Sequence, residues 1–149
     1  MPAEPSVQRR VVALTGAGGS LGLLITQALL RRGDIVIANH RSPSPGLRSL
    51  AVSFPNSLQP LLGDVGDETT ARQIVTAATE IGRLDALVLN AAITRDRALV
   101  RMSVQDWDDV VRVNLRGPFL ATKHALRFIM RQKYGLNGTV VHGHGGIAY

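Results

Sequence analysis

Residues 15–22 read TGAGGSLG and follow the apolar run Val11-Val12-Ala13-Leu14. A second apolar segment, from Leu21 to Leu30, comes directly after. A strand, a glycine-rich turn and a helix in that order make an anion site. Glycine lets the backbone turn tightly and come close to a phosphate. The helix start adds unpaired N–H groups and the positive end of its dipole. Thr15, Gly16, Gly18, Gly19, Ser20, Leu21 and Gly22 are therefore the first candidate binding residues.

Outward from this loop, strand-like and helix-like runs alternate. Residues 10–14 predict a first strand. Residues 20–32 predict a helix with Ser20 as N-cap, Gly33 as its stop, and Leu21, Leu24, Ile25, Ala28 and Leu29 on one face. A second strand is expected over 34–39 (DIVIAN), a loop over 42–46 with Pro43 and Pro45, and a short helix over 47–53. Residues 58–62 predict a third strand, ending at Gly63-Asp64. Asp67 caps a predicted helix whose apolar positions Ile74, Val75, Ala78 and Ile81 keep helical spacing, and Gly82 ends it. Residues 84–89 (LDALVL) predict a fourth strand, 105–133 a long helix, and 139–141 the start of a fifth strand. The strands are nearly continuous apolar runs, as in sheets covered on both faces. The expected fold class is α/β, a doubly wound parallel sheet.

Composition narrows the functional classes. The 149 residues suit one globular domain, with residues 1–8 expected to be flexible and 142–149 an atypical tail. No cysteine occurs, which removes disulfides and thiolate chemistry and fits a reducing compartment. No apolar run reaches membrane-spanning length and the first ten residues lack a signal-peptide core, so the chain reads as cytoplasmic. The net charge is +6, but the arginines are scattered and do not alternate with the few aromatics, so nucleic acid is not an expected partner. His142 and His144 have no third ligand nearby in sequence, so no metal site is expected.

In a parallel sheet of this kind, ligands bind at the carboxyl ends of the strands. Those ends carry the glycine loop, Asn39-His40-Arg41, Asp64-Val65 and Asn90-Ala91-Ala92. The second strand ends without a carboxylate. An acidic residue there would accept from an adenosine ribose, whereas Arg41 favours a 2′-phosphate, so NADPH is expected as cofactor rather than NAD; the alternative is that Arg41 is an ordinary solvated loop charge. Asp64 is placed to accept from an adenine amino group, or to form a turn ahead of Gly66. Asn90 is expected to tie the fourth strand end to neighbouring backbone. Ala91 and Ala92 leave room for a cofactor against the main chain. In the long helix, Pro118 lacks an N–H and so deprives the Asn114 carbonyl of its i+4 partner. A kink there would leave that carbonyl to hold a water; the alternative is a simple helix break at Gly117-Pro118.

These segments together resemble the short-chain dehydrogenase/reductase family. The resemblance rests on residues 15–22, Gly63-Asp64-Val65, residues 87–92 (LVLNAA) and Val113-Asn114-Leu115, and runs from about Arg9 to about Val141. The order of Ile93-Thr94-Arg95-Asp96, Arg101-Met102, Trp107-Asp108, Thr122-Lys123 and Gln132-Lys133-Tyr134-Gly135 is most similar to its 3-oxoacyl-[acyl-carrier-protein] reductase branch. The resemblance implies a Rossmann-type fold, an NADP site built from the glycine loop, Arg41, Asp64, Val65, Asn90, Ala91 and Ala92, and a homo-oligomer. It also implies that Asn114 is the helix asparagine whose carbonyl holds a proton-relay water. Arg127 matches a helix arginine that faces the acidic acyl carrier protein.

The chain departs from the family pattern at three places. Ser20 stands where the glycine loop TGxxxGxG has its middle glycine; its hydroxyl could crowd or donate to a pyrophosphate. The same loop also fits GxxGxxG through Gly16, Gly19 and Gly22. Leu89 and Ala92 replace an asparagine and a glycine. The family's serine after strand five and its tyrosine and lysine four residues apart have no counterpart, because no serine follows Ser103 and the last lysine is Lys133. Tyr149 has no lysine partner and is not read as the catalytic tyrosine. The expectation is a cofactor-binding chain that lacks the last strands and helices of the family and does not complete its chemistry.

Overall fold

The computed structural model describes residues 9–132 and 139–142. Its strands are β1 (Val11–Leu14), β2 (Ile35–His40), β3 (Leu58–Leu62), β4 (Ala86–Leu89) and β5 (Thr139–His142). All pair in parallel, in the order β3-β2-β1-β4-β5. The helices are α1 (Ser20–Arg31), α2 (Pro45–Ser53), α3 (Glu68–Ile81), α4 (Val104–Val111) and α5 (Gly117–Ile129). A short 3₁₀ turn, Leu99–Arg101, precedes α4, and a π-helical turn, Arg112–Arg116, joins α4 to α5. This is the expected doubly wound parallel sheet.

Strand alternation divides the core in two. Val11, Ala13, Ile37, Leu87 and Leu89 face α3 and α5, meeting Ile74, Ala78, Ala121, Ala125 and Ile129. Leu14, Val36, Ala38 and Leu58 face the other way, onto Leu30 of α1 and Leu47 of α2. Neighbouring residues of one strand thus serve opposite layers, which is why the central strands are apolar throughout. Leu89 belongs to this core, so an apolar side chain is well accommodated where the family carries asparagine. β3 forms one edge, where Pro60 is tolerated because its missing N–H falls outside the ladder's interior. Among the described residues no helix is long and apolar enough to cross a membrane.

Three local expectations are corrected. The α1 N-cap is Gly19, not Ser20, and no side chain caps that helix start. Helix α2 begins at Pro45, inside the predicted loop, because proline suits the first helical turn and the Ser44 hydroxyl accepts from the Leu47 N–H at 3.4 Å. The buried line of α1 is Gly22, Thr26 and Leu30, whereas Leu21, Leu24 and Ala28 of the predicted face are exposed. Helix α3 follows expectation: it ends at Gly82 in the left-handed conformation, with φ +95°. The predicted helix over 105–133 is α4, the π turn and α5, closing at Ile129; Lys133 lies outside the described residues.

Candidate dinucleotide site

A cavity of about 510 Å³ opens along the carboxyl ends of β1 to β4. Gly16, Gly18, Gly19, Ser20, Leu21, Gly22, Arg41, Asp64, Val65, Asn90, Ala91 and Ala92 all line it, so four separate sequence segments converge as expected. Its position, over the reversal of strand order between β1 and β4, is where such sheets bind ligands. Asn39, His40, Ser42, Pro43, Gly63, Ile93 and Val113 complete the lining.

The glycine loop is shaped by two contacts that exclude side chains. Gly16 adopts φ +68°, and a Cβ there would lie 2.8 Å from the Ala91 Cα. A Cβ on Gly22 would lie 2.1 Å from the Gly16 carbonyl oxygen. These two glycines bring α1 against the end of β1. Gly19 is different: its Cβ would meet only the Gly16 oxygen at 3.7 Å, so it leaves space rather than closing a contact. The first turn of α1 holds no acidic residue and no side-chain cap, so its N–H groups are left for an anion. Open backbone donors, a wide cavity and no competing carboxylate in that turn fit a pyrophosphate.

Thr15 and Asn114, both predicted site residues, do not line the cavity; they shape it from behind. The buried Thr15 Oγ1 accepts from the N–H groups of Asn90 and Ala91 at 3.1 and 3.2 Å. Asn90 returns the tie, its Nδ2 donating to the carbonyls of Thr15 and Gly16, each at 3.2 Å. The β1 and β4 ends are thereby fastened to each other. Asn39, buried at the end of β2, donates to the carbonyls of Leu61 and Gly63 at 3.3 and 3.0 Å and fastens the β3 end. The Asn114 side chain grips Ile93: its Oδ1 accepts from the Ile93 N–H and its Nδ2 donates to the Ile93 carbonyl, both at 2.9 Å. The π turn places it. Gly117 donates to the carbonyl of Arg112, five residues back, and Pro118 follows without an N–H. The expected disturbance of the helix at Asn114 is therefore present as a π bulge.

Of the two readings of Asp64, the structure shows the turn ahead of Gly66. Its Oδ1 accepts from the Gly66 N–H at 2.8 Å, the turn foreseen from sequence. Sequence reasoning missed Arg112, whose two terminal nitrogens reach the two carboxylate oxygens at 2.9 and 3.0 Å. That guanidinium holds the Asp64 carboxyl below the usual carboxylate range, against partial burial and with help from Gly66 and Arg41. Exposed Arg41 stands at the mouth beside His40, whose Nδ1 lies 2.8 Å from the Ser42 carbonyl oxygen. Arg127 is exposed on the last turn of α5, away from the cavity. Among the described residues no three His, Asp or Glu side chains form a metal cluster. His144, Tyr134 and Tyr149 lie outside the described residues, as does the side chain of His142.

The short chain dehydrogenase family model matches residues 10–142. The chain is 35% identical over 139 residues to the 3-oxoacyl-[acyl-carrier-protein] reductase FabG of Thermotoga maritima, covering 91% of this chain and 55% of that protein. It is 33% identical over 126 residues to the hydroxyacyl-CoA dehydrogenase ChsB1 of Mycobacterium tuberculosis, covering 80% of this chain and 40% of that one. A crystal structure of a short-chain dehydrogenase from Streptomyces avermitilis superposes with a TM-score of 0.81 at 26% identity, over 90% of this chain and 48% of the other. The chain thus spans about half the length of the Thermotoga reductase. With the glycine loop, the strand order and the Asn114 helix all in place, it belongs to the short-chain dehydrogenase family.

Proposed function

We propose that this chain binds NADPH across the strand ends and forms the dinucleotide-binding part of a reductase for 3-oxoacyl thioesters. The observation that carries the cofactor choice is the end of β2: His40 and Arg41 border the cavity where a ribose-binding carboxylate would otherwise stand. The pyrophosphate would lie at the uncapped start of α1, and the ribose phosphate at Arg41. The bound cofactor would supply a hydride from nicotinamide C4 to the substrate carbonyl. The names of the Thermotoga and Mycobacterium relatives support an oxoacyl or hydroxyacyl thioester as the substrate class. Asn114 would hold a relay water through its carbonyl while its side chain fixes Ile93.

Exposed Arg127 supports docking of an acidic acyl carrier protein. The exposed apolar side chains of Leu115, Phe119, Leu126 and Met130 recur at helical spacing, which supports a second copy of the chain as a partner. The absence of cysteine supports a cytoplasmic setting. A second reading is a non-catalytic NADP-binding or partner-binding protein, which predicts cofactor affinity without turnover even when a complementary fragment is supplied.

Titration of the 149-residue chain with NADPH and NADH tests the cofactor assignment. NADPH is expected to bind more tightly by about tenfold, and Arg41→Ala to remove that preference. Equal or tighter binding of NADH would overturn the assignment. With acetoacetyl-CoA and NADPH, the chain alone is expected to show no turnover. Turnover restored by a complementary fragment carrying the tyrosine and lysine selects the reductase over the binding protein.

A further inference from the structure

We propose that Arg112 is a positioning residue for the adenosine side of the cleft, acting by fixing the orientation of the Asp64 carboxylate. The inference rests on the dinucleotide reading above and adds to it a residue outside the cavity. Arg112 does not line the cavity, whereas its neighbour Val113 and its partner Asp64 do.

One hydrogen bond and one ion-pair contact join the two groups: Arg112 Nη2 donates to Asp64 Oδ2, and Nη1 faces Oδ1. The two terminal nitrogens of Arg112 reach the two oxygens of Asp64 at 2.9 and 3.0 Å. Asp67 stands further off, 3.9 Å from the same guanidinium. The chain makes room for this arrangement. A Cβ on Gly66 would lie 2.4 Å from the Arg112 Nη1 and 2.8 Å from its Cγ. A Cβ on Gly117 would lie 3.1 Å from the Val65 side chain and 3.2 Å from the Val65 carbonyl oxygen. Two glycines, one on each partner segment, thus let the loop after β3 lie flat on the π turn. The Gly66 N–H holds one carboxylate oxygen from the loop side. A carboxylate has about four lone-pair sites; Gly66 and Arg112 engage up to three of them, so capacity for a further donor is left on a residue that lines the cavity.

A planar guanidinium in contact with both carboxylate oxygens fixes the plane of the carboxylate; an ammonium, as a point charge, does not. The same short turn carries Asn114, which grips Ile93 at the β4 end. The widened turn therefore reaches both the β3 and the β4 borders of the cavity, and Arg112 is its contact with the first.

The test measures Kd values for 2′,5′-ADP and NADPH with wild type, Arg112→Lys, Arg112→Gln, Asp64→Asn and the Arg112→Gln/Asp64→Asn double variant. Thermal unfolding confirms that each is folded. Removing one charge-assisted pair is expected to weaken 2′,5′-ADP and NADPH alike by about tenfold in Arg112→Gln and in Asp64→Asn. Arg112→Lys is expected not to restore affinity. The double variant should be no weaker than either single one, because both act through one interaction. The acid-side loss of 2′,5′-ADP affinity should begin at higher pH in Arg112→Gln than in wild type, which a mere packing defect would not produce. Unchanged affinity in folded Arg112→Gln, full rescue by lysine, or additive single effects would overturn the positioning role while leaving the cofactor site intact. Failure of wild type to bind either ligand would overturn the dinucleotide reading itself. If Arg112→Gln does not fold, Asp64→Asn and Arg112→Lys decide the same question.

Discussion

Alanine at Gly22 should injure both the fold and the site, and the structure sets the size of the injury. The new Cβ would sit 2.1 Å from the Gly16 carbonyl oxygen and 2.7 Å from the Ala17 Cα. The first contact is about 1.3 Å short of the 3.4 Å at which ordinary van der Waals contact begins. Both neighbours are main chain, so no side chain can swing aside. Gly16 cannot retreat either, because its own Cα region lies against the Ala91 backbone and its carbonyl accepts from Asn90 at 3.2 Å. Overpacking of this kind costs about 3 kcal/mol, offset by about 1 kcal/mol from the better helix propensity of alanine. The net loss of about 2 kcal/mol lowers Tm by roughly 4–8 °C in a domain of this size. Gly19→Ala is the control: its Cβ meets nothing closer than 3.7 Å and its φ is −80°, so the Tm should stay near wild type while NADPH affinity falls. Thermal unfolding and NADPH titration on both variants separate a glycine needed for packing from one needed for access. A Gly22→Ala protein that melts with wild type, or a Gly19→Ala protein that melts well below it, would refute the reasoning.

Thr15→Val removes the oxygen that two N–H groups share and should cost about 1–3 kcal/mol in urea unfolding, whereas Thr15→Ser retains most of the stability. Asn114→Asp keeps the acceptor for the Ile93 N–H but sets an oxygen against the Ile93 carbonyl. It should cost about 2 kcal/mol and weaken NADPH binding at the neighbouring cavity wall, both read on one sample by urea unfolding and titration. The Asp64 carboxyl titrates below its ordinary 3.8 in the folded chain, so its contribution is complete above that value and is lost as pH falls through the lower, folded one. The stability gap between wild type and Asp64→Asn should therefore be present at neutral pH and close under strong acid; a gap that grows with acid contradicts the assignment.

The sheet was legible because its strands are short apolar runs bounded by glycine and acidic turns, and each predicted strand appears within two residues of its place. Helix α1 shows where pattern fails. Leu21, Leu23, Leu24, Ile25, Ala28, Leu29 and Leu30 make it apolar on nearly every side, so periodicity alone selects no face. The face is chosen by its small residues. Gly22 lets the helix meet the Gly16-Ala17 backbone, and Thr26, one turn on, is wholly buried because its hydroxyl donates back to the Gly22 carbonyl at 2.8 Å. Leu30 completes that line. A leucine count finds only part of the buried face, Ile25 and Leu29, which pack against the core; close approach at a glycine finds its centre.

The residues that line the cavity were legible for a related reason: their backbone positions are dictated by strand ends, which the sequence marks. The residues that hold those ends together were much less so. Asn39, Thr15 and Asn114 act by reaching across to another segment, and Arg112 reaches Asp64 over 48 positions of chain. Nothing local distinguishes such an arginine from the exposed ones around it. The one sequence signal was Pro118, whose missing N–H marks the turn where the helix ladder must change. The π turn lies immediately before it and carries both Arg112 and Asn114. A proline inside a long helix is thus better read as a pointer to the residues four to six positions earlier than as a break, since a bulged turn can hold two separate strand ends that a regular one would meet differently.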